Sequence, residues 1–327
     1  MFSLNDLDLE LIDHYKDFLP AKVFDAHTHI YHAASIPMFA DPESVFFRPF
    51  ASYKTYSDDM GMMLPGFQKA RLLMMPMLDP AMADRTNGFL SLGNHHALSE
   101  ASNSPGCAAA PYILPDDPEE AIEAYLSYGC VKAFKCYCYG TGKSDCENMY
   151  TDEFLSEALW RVANRHQMPV ILHIMRPDKL SDPANKAYID QKLKQFPDAK
   201  LILAHCGTAF AEWTILESFQ EFAGYDNLWF DFSAICEPAP MLACIRAVGS
   251  KHCLWGSDYP NSLYRGKSVS IANSFDWLLG AHYEQIPRTC IGVENITALY
   301  HCALLADLNA SDIEDIFYNN AVDLFHV

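Results

Sequence analysis

The chain has 327 residues, half of them hydrophobic and a fifth charged, a balance that buries a sizeable core and excludes intrinsic disorder. Its 42 acidic against 23 basic residues leave a net charge of −19. That field repels phosphate backbones and anionic lipid heads, so nucleic acid and membrane are excluded as partners and a small-molecule substrate is expected.

From the N-terminus, residues 1–19 are acidic and lack the positive and continuously apolar regions of a secretory signal, so a cytoplasmic protein is expected. The apolar run from Leu72 to Leu78 is broken by Pro76 and is far shorter than the ~18 residues of a membrane helix. Eight short β-branched or apolar runs follow one another as strands: Val23–Ile30, Ala70–Met75, Ala108–Leu114, Val131–Tyr137, Val170–Ile174, Leu201–His205, Leu228–Phe232 and Cys253–Gly256. Between them, Pro118–Tyr128, Asp152–His166, Pro183–Gln195, Phe210–Phe222, Pro238–Val248 and Val269–Leu279 read as helices, several opening on the Asp, Ser or Pro that helix N-termini prefer. Alternation of this kind predicts a parallel sheet covered by helices, and eight units predict its closure into a single (β/α)₈ TIM barrel over residues 1–327. A doubly wound open sheet is the alternative.

The stretch from His32 to Lys69 is a long insertion after the first strand. It is rich in aromatic residues, and Phe39, Phe46, Phe47, Phe50, Tyr53 and Tyr56 either wall a pocket over the active face or form a small cluster of their own. Eleven cysteines are scattered singly through apolar stretches, the pattern of reduced core thiols. Cys136 and Cys138 share a strand face but lack a second pair, which favours packing over metal or redox use.

His27 and His29 stand two apart on the first strand, so both imidazoles project from one face into the barrel. Two inward rings need partners, and a divalent metal supplies one to both. Asp25, on the same parity, is a candidate to accept a ring N–H and fix a tautomer. His173, His205 and Asp258 each follow an apolar run, at the strand ends where a barrel keeps its chemistry.

This set of two histidines on strand one, one each on strands five and six, and an aspartate on strand eight resembles the amidohydrolase superfamily. More narrowly it resembles the amidohydrolase-related branch that also contains aminocarboxymuconate-semialdehyde decarboxylase. The likeness runs from residues 25–29 through 202–207 and 256–260 to a closing segment at 319–325. It implies His27, His29, His173 and Asp258 as metal ligands, Zn²⁺ being the expected ion, and His205 as the catalytic histidine or a ligand to a second metal. Lys135, on strand four, is where binuclear members carry a carboxylated lysine; the branch mostly uses one metal, which favours an unmodified Lys135 that pairs with a substrate carboxylate or a neighbouring acid.

Arg176 is the other candidate for a substrate carboxylate, with an ion pair as its alternative reading. Glu237 is expected to cap the helix at Pro238 rather than to bind substrate. His14, His95, His96, His166, His282 and His326 read as surface or packing residues, and Gly140–Ser144 lacks the glycine spacing of a phosphate loop.

Three functions compete. The first is a metal-dependent hydrolase acting on a small carboxylated ester, lactone or amide through a metal-activated water, with His205 and Asp258 moving protons. The second is a metal-dependent non-oxidative decarboxylase of an unsaturated or aromatic acid, using the same ligands. The third, a non-catalytic metal-binding protein, predicts a damaged ligand, and none is damaged. Hydrolysis is the leading reading because it asks least of the sequence. A homo-oligomer is compatible with this composition, which fixes no oligomeric state.

Overall fold

In a computed structural model, which describes residues 2–37, 50–64, 69–279, 283 and 285–327, the chain forms a ring of eight parallel strands. They are β1 (Phe24–His32), β2 (Arg71–Pro76), β3 (Ala108–Ala109), β4 (Phe134–Cys136), β5 (Pro169–Leu172), β6 (Lys200–Leu203), β7 (Leu228–Asp231) and β8 (Cys253–Leu254). β1 to β3 and β4 to β8 form two parallel ladders. Backbone hydrogen bonds close both seams. Lys135 N donates to Pro111 O at 3.0 Å and Ile113 N to Lys135 O at 2.9 Å; Ala26 N donates to Trp255 O at 3.0 Å and His29 N to Tyr259 O at 2.8 Å. The third strand is shorter than its apolar run because Pro111 has no N–H to offer the ladder.

Alternation along the strands builds two buried layers, as a barrel wrapped in helices requires. Leu73 and Met75 face inward with Phe24, Ala26, Ala133, Ile171, Ile202, Trp229 and Leu254. Leu72 and Met74 face the helices. The C-terminal helix Asn320–Phe325 brings Leu324 and Phe325 to the inner layer, so the barrel is filled by side chains.

Helices Pro183–Gln195 and Pro238–Val248 begin and end where the sequence predicts. The first is capped by Asp182, whose side chain accepts from Ala184 N and Asn185 N, with proline in the first turn. Pro118–Tyr128, Asp152–His166 and Phe210–Phe222 are each split into a shorter α-helix and a 3₁₀ turn. Val269–Leu279 is not a helix. Its Ser-Val-Ser-Ile and Ser-Phe-Asp-Trp runs alternate with period two and pair as an antiparallel hairpin, Ser268–Ile271 with Ser274–Trp277, turning at Ala272 in the left-handed region.

Phe39, Phe46 and Phe47 lie outside the described residues. Phe50 is exposed on a short strand beside Tyr31 and His32, Tyr53 donates to Ala70 O, and Tyr56 is buried with its hydroxyl on Asp25. No helix among the described residues is long and apolar enough to cross a membrane. The cysteines are free thiols, most of them buried.

Candidate metal centre

Parity alone puts Asp25, His27 and His29 on one face, but a register shift between Asp25 and Thr28 interrupts β1. Such a bulge turns two successive residues toward the same side. Phe24 and Ala26 therefore belong to the inner apolar layer, while His27 and His29 stand above it at the barrel mouth. Asp25 is displaced from the role expected of it. Its carboxylate accepts from His27 N, Ser257 N and the Tyr56 hydroxyl, clamping β1 to the end of β8, and burial raises its pKa to about 6 against those hydrogen bonds.

Other groups fix the imidazole tautomers. His27 Nδ1 donates to Asp231 Oδ2 at 2.9 Å, His29 Nδ1 to Pro76 O at 2.9 Å, and His205 Nδ1 to Ser233 O at 2.8 Å. A carbonyl or carboxylate can only accept, so each ring carries its proton on Nδ1 and a lone pair on Nε2. Burial lowers the His27 pKa to about 4, despite the Asp231 charge, and keeps the ring neutral.

The free nitrogens converge on Asp258. His29 Nε2 is 3.3 Å and His27 Nε2 3.7 Å from Asp258 Oδ1, while Asn261 Nδ2 holds Asp258 Oδ2 at 3.0 Å. Lone pairs facing a carboxylate oxygen repel unless a cation lies between them. The spacing suits one, because bonds of ~2.1 Å in a tetrahedral site put neighbouring ligand atoms about 3.4 Å apart. His27, His29 and Asp258 thus form a group fit for a divalent metal, and His27, His205 and Asp231 form a second overlapping group.

His173 lies outside both groups. Its half-buried ring meets His205 edge-on at 5.2 Å and Tyr137 at 5.0 Å between centroids, and its buried Nδ1 has no hydrogen-bond partner. An orphaned buried nitrogen calls for a ligand. Lys135 is 2% exposed at the same mouth; burial lowers its pKa while Asp231 and Asp258 oppose the shift, and no acid among the described residues lies within ion-pair distance.

Arg176 is occupied elsewhere. Its Nε lies 2.8 Å from Asp182, and its guanidinium sits 4.1 Å from the Tyr150 ring centroid, which is the ion-pair reading of this residue. Glu237 occupies the cap position at Pro238, yet its side chain makes no cap bond and instead accepts from Ser270 of the hairpin. Cys138–Thr141 is a 3₁₀ turn, and Lys143 after it pairs with Glu153.

The sequence reading missed Asp231 and Ser233. Asp231 ends the apolar run Leu228-Trp229-Phe230 and accepts from His27 Nδ1, His205 N, Ser233 N and Ser233 Oγ. Burial raises its pKa, but His27 and His205 outweigh that and draw it well below the usual carboxylate range. The rule that singled out His173, His205 and Asp258, a polar residue closing an apolar strand, applies to it equally.

Strain concentrates here. His205, Cys206, Gly207 and Thr208 all have φ between 54° and 73°, a left-handed turn unusual for L-residues, and Asp258 has φ 56°. Gly256 lets β8 approach β1, since a Cβ there would lie 2.8 Å from His27 Cβ and 3.1 Å from His27 N. Gly256→Ala is therefore expected to destabilise the fold by about 1–3 kcal/mol through overpacking and to weaken metal binding. Thermal melting and metal titration check this; a variant matching the parent in both would mean β8 has room to move.

The family model for amidohydrolase matches residues 24–327. No curated protein sequence matches the chain. Among solved structures, an amidohydrolase from Burkholderia multivorans with bound zinc is similar, with a TM-score of 0.60, 16% identity and coverage of 94% of this chain and 99% of that one. A protein described as a 2-pyrone-4,6-dicarboxylic acid hydrolase from Pseudomonas putida matches with a TM-score of 0.58, 15% identity and coverage of 94% and 98%. A 5-carboxyvanillate decarboxylase variant from Novosphingobium aromaticivorans, with manganese and 3-methoxy-4-hydroxy-5-nitrobenzoic acid, matches with a TM-score of 0.58, 12% identity and coverage of 94% and 97%. At these identities the structures speak for the barrel fold, and the family match for membership: this chain belongs to the amidohydrolase family.

Proposed function

We propose that the chain is a zinc-dependent hydrolase of a small carboxylated ester, lactone or amide, with His27, His29, His173 and Asp258 holding the ion. The observation that carries this reading is the convergence of two proton-free Nε2 atoms on one Asp258 oxygen, their protons sequestered on Nδ1. A divalent ion there supplies a Lewis acid and a water of lowered pKa, ~7 for zinc. Asp258 Oδ2, oriented by Asn261, is placed to take the proton of the attacking water. His205, tied through Nδ1 to Ser233, keeps Nε2 free to receive that proton and return it to the leaving group, or to steady the developing oxyanion. Lys135, buried where the charges of Asp231 and Asp258 act on it, is the cation assigned to a substrate carboxylate.

The competing reading is decarboxylation of an unsaturated or aromatic acid, favoured by the likeness to the 5-carboxyvanillate decarboxylase. A panel of lactones, esters, amides and aromatic acids, turned over in ¹⁸O-water with CO₂ measured, separates the two. Label entering product without CO₂ supports hydrolysis, whereas CO₂ without a hydrolysed bond overturns it.

His205→Ala is expected to keep its metal and lose about 10²–10⁴-fold in turnover. Metal loss on the scale of His27→Ala would make His205 an essential ligand instead. Adding zinc to chelator-stripped protein at 100 times Kd should stabilise the fold by about 2.7 kcal/mol. A melting temperature indifferent to zinc would count against a folded-state site.

A further inference from the structure

We propose that the pocket between the loops after β4, β5 and β6 and the hairpin seats a second carboxylate of the substrate, remote from the bond cleaved, on Lys179 Nζ and Thr208 Oγ1. The proposal rests on the hydrolase reading above and deepens it by naming a dianionic substrate class.

The cavity holds ≈ 230 Å³ and is lined by Glu147, Lys179, Thr208, Asn273 and Phe275, among others. Thr208 carries an unmet hydrogen bond, and Lys179 is a cation that Glu147 reaches only at a distance. Lys179 is half-buried, and no acid among the described residues lies within ion-pair distance of it. Thr208 is 3% exposed, and its Oγ1 is buried without a hydrogen-bond partner. It is also held at φ 59°, a conformation that β-branched residues avoid, while Lys179 is at φ 46°. A buried hydroxyl with no acceptor or donor nearby needs a ligand or water to complete it. A carboxylate can accept from the ammonium and the hydroxyl together.

The pocket adjoins the centre. Thr208 sits on the same left-handed turn as His205, three residues further along. Phe210 packs on His205 at 5.4 Å and on Phe275 and Trp277 of the hairpin at 5.4 Å and 5.0 Å between centroids. An apolar wall therefore joins His205 to Phe275, suited to a flat or unsaturated body between the two anionic ends. Glu147 and Asp178 also border the cavity, but both are exposed, so solvent and salt weaken their repulsion. In a chain of net charge −19, an anion needs such a local cation. Lys135 lies beside Asp231 and Asp258, which leaves Lys179 for the outer group.

The test is calorimetric titration of the zinc-loaded chain with isophthalate and with benzoate. The parent should bind isophthalate at least about tenfold more tightly, the return on one charge-assisted contact. Lys179→Met should erase that preference while leaving zinc content and benzoate affinity in place, Lys179→Arg should restore most of it, and Thr208→Val should lose part of it with the β-branched shape kept. A parent with no preference, or a Lys179→Met variant that keeps it, overturns the proposal. A parent chain that fails to hold zinc would count against the hydrolase reading; the isophthalate-to-benzoate ratio, read without metal, would still decide the pocket.

Discussion

Replacing His27 by alanine is expected to empty the centre of metal and abolish turnover while the barrel stays folded. This ring belongs to both ligand groups at the mouth, and it faces Asp258 through Nε2 and Asp231 through Nδ1. Its removal takes away one donor and strips Asp231 Oδ2 of its hydrogen-bond partner. A carboxylate that is 1% exposed then keeps only the three donors on Oδ1, at a cost of about 1–3 kcal/mol for the bond left unmade. Metal affinity should fall by more than the ~10–100-fold that loss of an outer partner costs. His29→Ala should resemble it in metal loss but less in stability, since His29 Nδ1 is held by the Pro76 carbonyl and leaves no charge behind. Metal per chain, measured on protein purified without chelator, together with thermal melting, checks both. Parent-like metal content in His27→Ala would place the ion elsewhere.

The barrel was legible because its signals are local. Each strand is a short apolar run, and Pro183 and Pro238 mark helix starts that need no tertiary information. The hairpin was misread because Val269–Leu279 has apolar residues at spacings that suit a short helix as well as alternating strands, and only the pairing of Ser268–Ile271 with Ser274–Trp277 decides. Strand ends pointed to His173, His205 and Asp258, and β1 to His27 and His29. The partners that orient them were not legible. Pro76, Ser233 and Asp231 lie on or just past other strands than the rings they hold, and two of them act through backbone carbonyls that carry no sequence signature. Asp25 was assigned an imidazole because period-two counting assumes an unbroken strand, and the bulge between Asp25 and Thr28 breaks it. Arg176 shows the limit of reading charge without geometry: a loop cation near the mouth is claimed first by Asp182 and Tyr150.

Asp231→Asn is expected to weaken metal binding about 10–100-fold and to lower stability by about 1–3 kcal/mol, the scale of a buried hydrogen-bonding group left unsatisfied. As a carboxylate, Asp231 accepts four hydrogen bonds: from His27 Nδ1 through Oδ2, and from His205 N, Ser233 N and Ser233 Oγ through Oδ1. An amide has one accepting and one donating end, so in either orientation an NH₂ meets groups that also donate. If the amide nitrogen faces His27, the ring relieves the clash by moving its proton to Nε2, which removes the lone pair aimed at the metal. If the nitrogen faces Ser233 and His205 N, the left-handed turn that carries His205 loses its anchor. Both outcomes harm the centre without touching a ligand atom. Ser233→Ala removes one donor and keeps the carboxylate, so its effect on metal affinity should be several-fold at most. Competition titration with a chromophoric chelator measures the first effect and thermal melting the second. An Asp231→Asn variant with parent-like zinc affinity would show that something other than Asp231 sets the His27 tautomer.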